Sequence, residues 1–481
     1  MKIMLFDTNQ GPFPPAFGLE ATGRLAPVNS IQSTAQRLSI GFETLDRELF
    51  DPDECYEVLG QSGVKWARCQ SGWSRCEKKA GQYDFCWLDQ VMERFLAVGI
   101  TPWLSLTFGN ALYSPDARHA SAVGCPPVCY GNSAVSAWEK FVRAVVSRYR
   151  DRITHFEIWN EPDNGQFWGP GKPSLEEYMK LVRITSAVIR SAAPRAKIIA
   201  GAFSNPLSAI QCLKLGLGQE CDILSYHTYT MFPELYSANT VAYLREAIET
   251  YAPHLKLWHG ESGCPSESKD HYDEWLRLYR SSQEIQAKWL ARRIATDFRN
   301  EVDLFSYYHA SDLTLHPYVN GTGIPTKVGR MGILQAPGAV PKLSYHVLQH
   351  FCAMFDSSLE KRALMAHLGE EDIQDPCRAP LQARDFFTGV IADSYTRNGW
   401  PFYLYYYPGD LQRSETVSAL NGNKIQACAG KTISAPVLVD TVSGTIYQFR
   451  DFELSNSVLY LHSIPVTDYP LIITDRQALE R

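Results

Sequence analysis

Between about residue 38 and residue 356, short apolar runs rich in β-branched and aromatic residues alternate with longer stretches in which apolar residues recur every three or four positions. The short runs are typical of buried β-strands, and the longer stretches are typical of amphipathic helices. Each predicted strand is followed by a helical pattern. Eight strands are predicted in this way, over residues 38–44, 65–70, 101–108, 154–160, 197–202, 223–228, 256–260 and 304–309.

Four of the helical stretches have clear limits, over residues 133–150, 174–193, 282–300 and 341–355. Ser174, with Glu177 three residues later, is a helix-start signature, because the two side chains can satisfy the first backbone N–H groups of a helix. Eight alternating strand and helix units are what a (β/α)8 TIM barrel requires, and a doubly wound sheet needs fewer. The pattern therefore predicts an α/β protein whose active site lies at the C-terminal ends of the barrel strands.

The helical pattern gives way after residue 356 to polar-flanked strands, with hairpin signals at Asn398-Gly399 and Ser443-Gly444. We therefore predict a catalytic barrel over residues 38–356 and a β-rich, sandwich-like accessory domain over residues 357–481. Residues 1–37 form an N-terminal segment for which two positions are open, against the accessory domain or against the barrel floor.

Charge and hydropathy exclude two classes of partner. The chain has 46 Lys and Arg against 52 Asp and Glu, a net charge of −6, so it lacks the basic excess of a nucleic-acid-binding protein. No uncharged apolar run approaches the roughly 18 residues of a membrane span. Aromatic residues make up 12% of the sequence, which suggests a ligand that stacks on aromatic faces. We expect no membrane or nucleic-acid partner.

Cysteine content and the N-terminus favour the cytoplasm. Twelve cysteines in 481 residues is a low density, and residues 1–7 are too short an apolar stretch for a secretory signal. Two pairs, Cys76 with Cys86 and Cys125 with Cys129, leave three states open: reduced thiols, disulfides or a zinc site. A processed secreted form is compatible with the disulfide state.

Two glutamates stand at strand ends where chemistry is expected. Glu161 directly follows the fourth predicted strand, just before Pro162, and Glu261 directly follows the seventh, between Gly260 and Ser262. Strands four and seven lie across the barrel from each other, so both carboxyl groups lean over the same narrow mouth. Glycoside cleavage needs such a pair, one carboxyl protonated and one ionised. We expect the separation of about 5 to 5.5 Å that belongs to a retaining mechanism.

The run Glu157-Ile158-Trp159-Asn160-Glu161-Pro162 resembles the Asn-Glu-Pro signature of clan A retaining glycoside hydrolases. The chain is most similar to glycoside hydrolase family 39, the β-xylosidase and α-L-iduronidase family, because Trp168 follows the signature and a β-rich segment follows the barrel. The resemblance covers about residues 38–356. It implies that Glu161 is the acid/base and Glu261 the nucleophile of a β-xylosidase-like or related exo-glycosidase.

The resemblance also implies a set of substrate-binding residues around these two carboxyl groups. Asn160 would bind the sugar 2-hydroxyl, and His227 and Tyr229 would place a phenol beside the nucleophile. Three further residues complete the predicted substrate-binding set. Arg68 would orient the nucleophile or pair with a barrel carboxylate, Trp168 on a loop at the catalytic face would stack on a sugar ring or cap the barrel, and Tyr308 lies near the end of the eighth strand.

Two other functional classes compete with a glycosidase. A carbohydrate-binding protein on an inactive barrel would lack a rim glutamate, and neither is missing. A metal-dependent hydrolase would use His227, His309, Glu161 and Glu261 as ligands, but the His-x-His pair common on the first strand of such barrels is missing. We therefore expect a carbohydrate substrate and no metal or cofactor. The sugar, the linkage, exo or endo action and the oligomeric state stay open.

Overall fold

The structure, a computed structural model, describes residues 13, 17–117, 119–169, 171–235, 237–269, 279–315, 327–363, 366–367, 389–411, 418–426 and 431–480. A closed barrel of eight parallel strands forms its centre. All eight predicted strands coincide with barrel strands, which confirms the predicted fold class. A first strand, β1 (Leu19–Arg24), precedes the barrel strands β2 (Leu38–Phe42), β3 (Trp66–Gln70), β4 (Thr101–Leu106), β5 (His155–Ile158), β6 (Lys197–Phe203), β7 (Ile223–His227), β8 (Lys256–Ser262) and β9 (Leu304–Tyr307).

Helices connect the barrel strands and cover their outer face. The Ser174 and Ser282 side chains cap two of the helices by accepting hydrogen bonds from the backbone N–H groups of Glu177 and Ile285. The four helices with predicted limits are present, with ends shifted by one or two residues. The helices are α1 (Tyr56–Gly60), α2 (Trp73–Cys76), α3 (Cys86–Ala97), α4 (Gly131–Tyr149), α5 (Leu175–Ala192), α6 (Pro206–Lys214), α7 (Ser237–Tyr251), α8 (Gln283–Arg299) and α9 (Leu343–Met354).

The barrel interior changes from apolar to charged toward the mouth. Arg68 on β3 is completely buried, and its guanidinium carbon lies 5.6 Å from the ring centre of Trp103. Its N–H groups point away from this apolar floor and reach carboxylates of other strands. A buried positive charge must be paired, so Arg68 imposes a polar layer on the mouth of the barrel. The apolar floor consists of Trp66, Trp103, Ile199, Ile223, Trp258 and Leu304.

Two antiparallel sheets form the C-terminal part of the chain, as the predicted accessory domain requires. Asn398 and Gly399, both with positive φ, make the predicted hairpin turn between Ile391–Arg397 and Trp400–Tyr406. The seven-stranded sheet runs in the order β1, Thr445–Phe449, Pro436–Asp440, Leu471–Asp475, Trp400–Tyr406, Ile391–Arg397, Leu359–Arg362. The four-stranded sheet runs in the order Ala366–His367, Ser418–Gln426, Val458–Val466, Glu453–Ser455.

The N-terminal segment contacts both parts of the molecule. Strand β1 pairs with Thr445–Phe449 at the edge of the seven-stranded sheet. The backbone of Ser30 bonds to Gly60 and to the Lys65 ammonium group beneath the barrel. Residues 1–12 and 14–16 lie outside the described residues. None of the helices in the described part of the chain is long and apolar enough to cross a membrane.

Helix α8 joins the barrel to the accessory sheets through a buried ion pair. Arg292 on α8 donates two hydrogen bonds to the carboxylate of Glu234, at 2.7 and 2.6 Å. The Tyr406 hydroxyl donates to Glu234 at 2.9 Å, and Arg292 also donates to the carbonyl of Gly409 at 2.7 Å. Glu234 lies on the loop after β7, so the accessory domain supports a loop at the catalytic face of the barrel.

Removing Glu234 is expected to destabilise the protein strongly. Glu234→Ala leaves the Arg292 charge buried and unpaired, which costs about 3–5 kcal/mol of unfolding free energy. Tyr406→Phe removes one hydrogen bond from the same cluster and should cost only about 0.5–1.5 kcal/mol. Denaturant unfolding of the two variants checks this difference. Equal losses would mean that the ion pair contributes nothing beyond an ordinary hydrogen bond.

Candidate active site

The acid/base candidate follows β5 in a backbone conformation that side chains rarely adopt. Trp159 and Glu161 have φ values of 70° and 42°, in the left-handed region. Hydrogen bonds to the neighbouring strands hold this turn, from Trp159 N to the carbonyl of Leu106 and from Glu161 N to that of Ala202. Such strained positions cluster at functional sites because the surrounding structure must enforce them. The turn lifts the Glu161 carboxyl to the barrel mouth.

The surroundings of Glu161 favour its protonated form. Burial raises the pKa of Glu161 to about 7, the nearby Asp163 charge adds to this, and a hydrogen bond from Asn164 and the charge of Arg68 oppose it. The Asn164 amide donates to Glu161 Oε2 at 2.8 Å, and Glu161 Oε1 lies 3.2 Å from His227 Nδ1. Burial lowers the pKa of His227 to about 3, so the imidazole is neutral beside it. Glu161 is therefore equipped to donate a proton near neutral pH.

Two hydrogen bonds hold the Glu261 carboxylate in a fixed orientation. The Tyr229 hydroxyl donates to Glu261 Oε1 at 2.7 Å, and Arg68 Nη1 donates to Oε2 at 2.6 Å. His227 Nδ1 lies 3.7 Å from Glu261 Oε2 and so stands between the two glutamates. Hydrogen bonds from a cation and a phenol hold both carboxylate oxygens.

A carboxylate oxygen of Glu161 and one of Glu261 lie within 4.8 Å of each other. Inverting enzymes need about 6.5–9.5 Å between their carboxyl groups to admit a water molecule, and retaining enzymes need about 5–5.5 Å. The observed separation of at most 4.8 Å between these oxygens is shorter than inverting enzymes need and is close to the range of retaining enzymes. It leaves space for one sugar carbon to pass from a leaving group to the opposing carboxylate.

Arg68 is the centre of this constellation. It donates to one oxygen of Glu157 at 2.8 and 2.6 Å and to Asn160 Oδ1 at 2.8 Å. Its Nη1 is shared between Glu261 at 2.6 Å and Glu43 at 3.1 Å. Although burial opposes the charge, these three carboxyl groups raise the pKa of Arg68. Arg68 therefore ties the nucleophile candidate to the residue before the acid/base.

Sequence reasoning did not assign a role to Glu43 or Glu157. Both are buried carboxyl groups in contact with Arg68. The signal for Glu43 was present, because it lies close to the end of the first predicted strand, over residues 38–44, and directly follows β2 in the structure. Glu157 gave no such signal, since a residue within a strand points either into the barrel or out of it.

Two predicted sugar-binding residues occupy different kinds of position. Trp168 is 1% exposed, and its ring packs edge-on against those of Trp159 and Tyr178. A ring enclosed in this way cannot stack on a sugar, so the predicted stacking role of Trp168 is not compatible with this structure. Tyr308 is half-buried beside β8, where its backbone N–H donates to the Ser262 carbonyl. It lies next to the strand that carries Glu261 and is open to solvent on one side.

The two glutamates and His227 have the spacing of a metal-binding group, with one ligand atom from each within 4.8 Å of the others. Arg68 lies 2.6 Å from the same Glu261 carboxylate, and a cation there repels a second cation. His309, the other histidine of the metal hypothesis, uses both ring nitrogens on the backbone of Ser311 and Glu43. The site fits a carboxylate pair better than a metal.

The structure bears on the three states left open for the two cysteine pairs, which were reduced thiols, disulfides or a zinc site. Cys76 and Cys125 are buried, and Cys86 and Cys129 are exposed. No disulfide joins any two cysteines within the described ranges. None of these four belongs to a metal-binding group in that part of the chain.

Comparison with known proteins identifies relatives of this barrel. A model of glycosyl hydrolases family 39 matches residues 69–364, which is more than half of the chain. A β-xylosidase from Geobacillus stearothermophilus is 25% identical over 304 residues, which cover 58% of this chain and 57% of that protein. The β-galactosidase BgaA from Clostridium cellulovorans is 30% identical over 137 residues, 25% of this chain and 20% of that one. The chain thus spans little more than half the length of the first of these relatives.

Solved structures share the fold at low sequence identity. A family 39 glycoside hydrolase from Bacteroides cellulosilyticus WH2 has a TM-score of 0.63 at 16% identity, over 94% of this chain and 83% of that one. A monomeric β-xylosidase from Caulobacter crescentus CB15 has a TM-score of 0.57 at 16% identity, over 94% and 97%. These similarities extend over the barrel and the accessory sheets. On the strength of the family match and the barrel that carries it, this chain belongs to family 39 of the glycosyl hydrolases.

Proposed function

We propose that this protein is a retaining glycoside hydrolase in which Glu161 is the acid/base and Glu261 the nucleophile. The observation that carries the proposal is the short separation of the two carboxyl groups, within 4.8 Å, in surroundings that raise the pKa of Glu161 to about 7 and hold Glu261 through hydrogen bonds from Arg68 and Tyr229. Two carboxyl groups with opposite protonation are the requirement of this chemistry. An inactive carbohydrate-binding barrel would have no need to keep both.

In the first step, Glu261 attacks the anomeric carbon while Glu161 donates its proton to the departing oxygen. The Tyr229 hydroxyl and Arg68 fix the two Glu261 oxygens, so the carboxylate is already oriented when the sugar binds. Asn160, held by Arg68 through its carbonyl oxygen, keeps its amide N–H groups for the sugar 2-hydroxyl. The products of the step are a glycosyl ester on Glu261 and the free aglycone.

In the second step, Glu161 is an anion and acts as the base. It takes a proton from a water molecule that attacks the anomeric carbon, and Glu261 departs as a carboxylate. The proton returns to Glu161, so the enzyme is restored. Two inversions at one carbon leave the product with the configuration of the substrate.

A β-xyloside is the proposed substrate class, with cleavage from the chain end. This proposal is supported by two similar proteins, because the Geobacillus protein and the Caulobacter structure are both β-xylosidases. The β-galactosidase relative makes a galactoside the first alternative to test. A panel of nitrophenyl glycosides decides the sugar and the anomer together. Binding of a sugar without any turnover would favour the carbohydrate-binding alternative.

The stereochemical outcome provides the test of the mechanism. We expect the first product anomer to have the configuration of the substrate, because the proposed intermediate is a covalent ester on Glu261. Proton NMR of the anomeric region during early turnover measures it, before the sugar equilibrates in solution. The same hydrolysis by dilute acid, which gives both anomers, is the control. An initially inverted product would contradict the proposed roles of both glutamates.

A further inference from the structure

A third carboxyl group at the barrel mouth has no role in the mechanism above. Glu43 follows β2 directly and is 2% exposed. Its Oε1 accepts a hydrogen bond from Arg68 Nη1 at 3.1 Å, the same nitrogen that donates to Glu261 at 2.6 Å. Its Oε2 has no hydrogen-bond partner within the described part of the chain. Glu43 and Glu261 therefore share one nitrogen of Arg68, whose two hydrogens allow one bond to each carboxyl group.

The backbone of β2 makes room for this side chain. A Cβ atom added to Gly41 would lie 2.4 Å from Glu43 Oε2. Any other residue at position 41 would push the carboxyl group aside. Gly41 thus gives Glu43 its position beside Arg68.

The charge balance of the cluster requires at least one neutral carboxyl group. Arg68 brings one positive charge, and Glu43, Glu157 and Glu261 would bring three negative charges, which is costly in a buried site. Glu157 accepts two charged hydrogen bonds, at 2.8 and 2.6 Å, and Glu261 accepts one at 2.6 Å, whereas Glu43 accepts a single longer bond at 3.1 Å. A proton on Glu43 Oε2 leaves Oε1 as an acceptor for Arg68.

Burial raises the pKa of Glu43 to about 8, Arg68 lowers it and the charge of Glu261 raises it. Burial raises the pKa of Glu157 as well, against the charge of Arg68, so the two carboxyl groups compete for the proton, and the single, longer bond from Arg68 favours Glu43 as its site. His309 Nε2 lies 3.7 Å from Glu43 Oε2, and burial lowers the pKa of His309 to about 4, so no cation faces that oxygen. The facing groups come from several elements: Arg68 and Cys69 on β3, Glu157 on β5, Glu261 on β8 and His309 after β9.

We propose that Glu43 is a positioning residue for the second step: it faces Arg68 as a neutral carboxyl group, so that Arg68 gives its charge to Glu261 when Glu261 leaves the sugar. The inference rests on the proposed roles of Glu161 and Glu261. In the glycosyl ester Glu261 carries no charge, and on departure it becomes an anion. An ionised Glu43 would repel that anion and would share the positive charge of Arg68 with it, which slows the departure.

The test isolates the second step from Glu161. In Glu161→Ala, a dinitrophenyl glycoside needs no acid to form the ester, and azide needs no base to attack it. The rate is measured at azide concentrations where it is proportional to azide, from about pH 5 to pH 9. We expect a fall of at least about tenfold toward alkaline pH, the size of one pKa unit of repulsion between Glu43 and Glu261. Glu161→Ala/Glu43→Gln should be flat, because glutamine cannot ionise.

A second variant covers the case in which Glu43→Gln does not fold. Gly41→Ala keeps the Glu43 carboxyl group and displaces it, so the midpoint of the alkaline fall should move in Glu161→Ala/Gly41→Ala. The same fall with and without Glu43, or no fall in Glu161→Ala, would overturn the role of Glu43. An unchanged midpoint with alanine at position 41 would overturn it as well. Absence of any glycosyl azide product would instead contradict the proposed glycosidase mechanism.

Discussion

Glu261→Ala is expected to abolish turnover of an aryl glycoside, with a loss of roughly 10⁴-fold or more in kcat, as is found when a covalent catalytic group is removed. The physical reason is that no other carboxylate among the described residues of the barrel mouth can take its place. Glu43 and Glu157 contact the same arginine, but both are completely or almost completely buried behind it. Steady-state assay with a dinitrophenyl glycoside measures the loss.

Adding azide to Glu261→Ala shows whether the variant has lost only its nucleophile or has lost its fold. Azide can enter the space left by the Glu261 carboxylate and attack the anomeric carbon directly, giving a glycosyl azide of inverted configuration. Glu249→Ala, at an exposed position on α7, is the matched control and should keep full activity. Activity of Glu261→Ala close to that of the control would exclude Glu261 as nucleophile.

Most of the barrel could be predicted from the sequence because each strand and helix carries its own periodic signal. The two rim glutamates followed from that pattern, since a residue at the end of a barrel strand has only one place to lie. His227 and Tyr229 also lie beside the two glutamates, where the resemblance implied. The strand pattern thus predicted the two glutamates, and the resemblance predicted their two neighbours.

The remaining features depend on contacts between distant segments. The role of Trp168 was mispredicted because the local sequence fits two positions of its ring equally well. The ring could face a sugar from a loop, or it could be buried behind Trp159, as the structure shows. The partners of Arg68 come from the ends of β2, β5 and β8, which meet only when the barrel closes. Hydrophobic periodicity carries no information about which carboxyl groups share one guanidinium.

The charge arrangement at the mouth predicts how Glu161→Gln will behave. Glutamine keeps the size of the side chain and removes the proton that Glu161 donates. Substrates with poor leaving groups should lose roughly 10²–10⁴-fold in kcat/KM, the usual contribution of general acid catalysis, because their departing oxygen must be protonated. A dinitrophenyl glycoside needs no proton and should keep most of its kcat/KM.

The pH profile and the leaving-group dependence test the same proton. Because the pKa of Glu161 is raised to about 7, its protonated fraction falls as pH rises through that value, and wild-type kcat/KM for an alkyl glycoside should fall with it. In Glu161→Gln this alkaline limb should disappear, since glutamine has no proton to lose. Parallel kcat/KM profiles for alkyl and dinitrophenyl glycosides measure both effects, with Glu249→Gln as the matched control. If both substrates slowed equally in Glu161→Gln and the alkaline limb remained, the acid would have to be another group, and the short distance between Glu161 and Glu261 would need a different explanation.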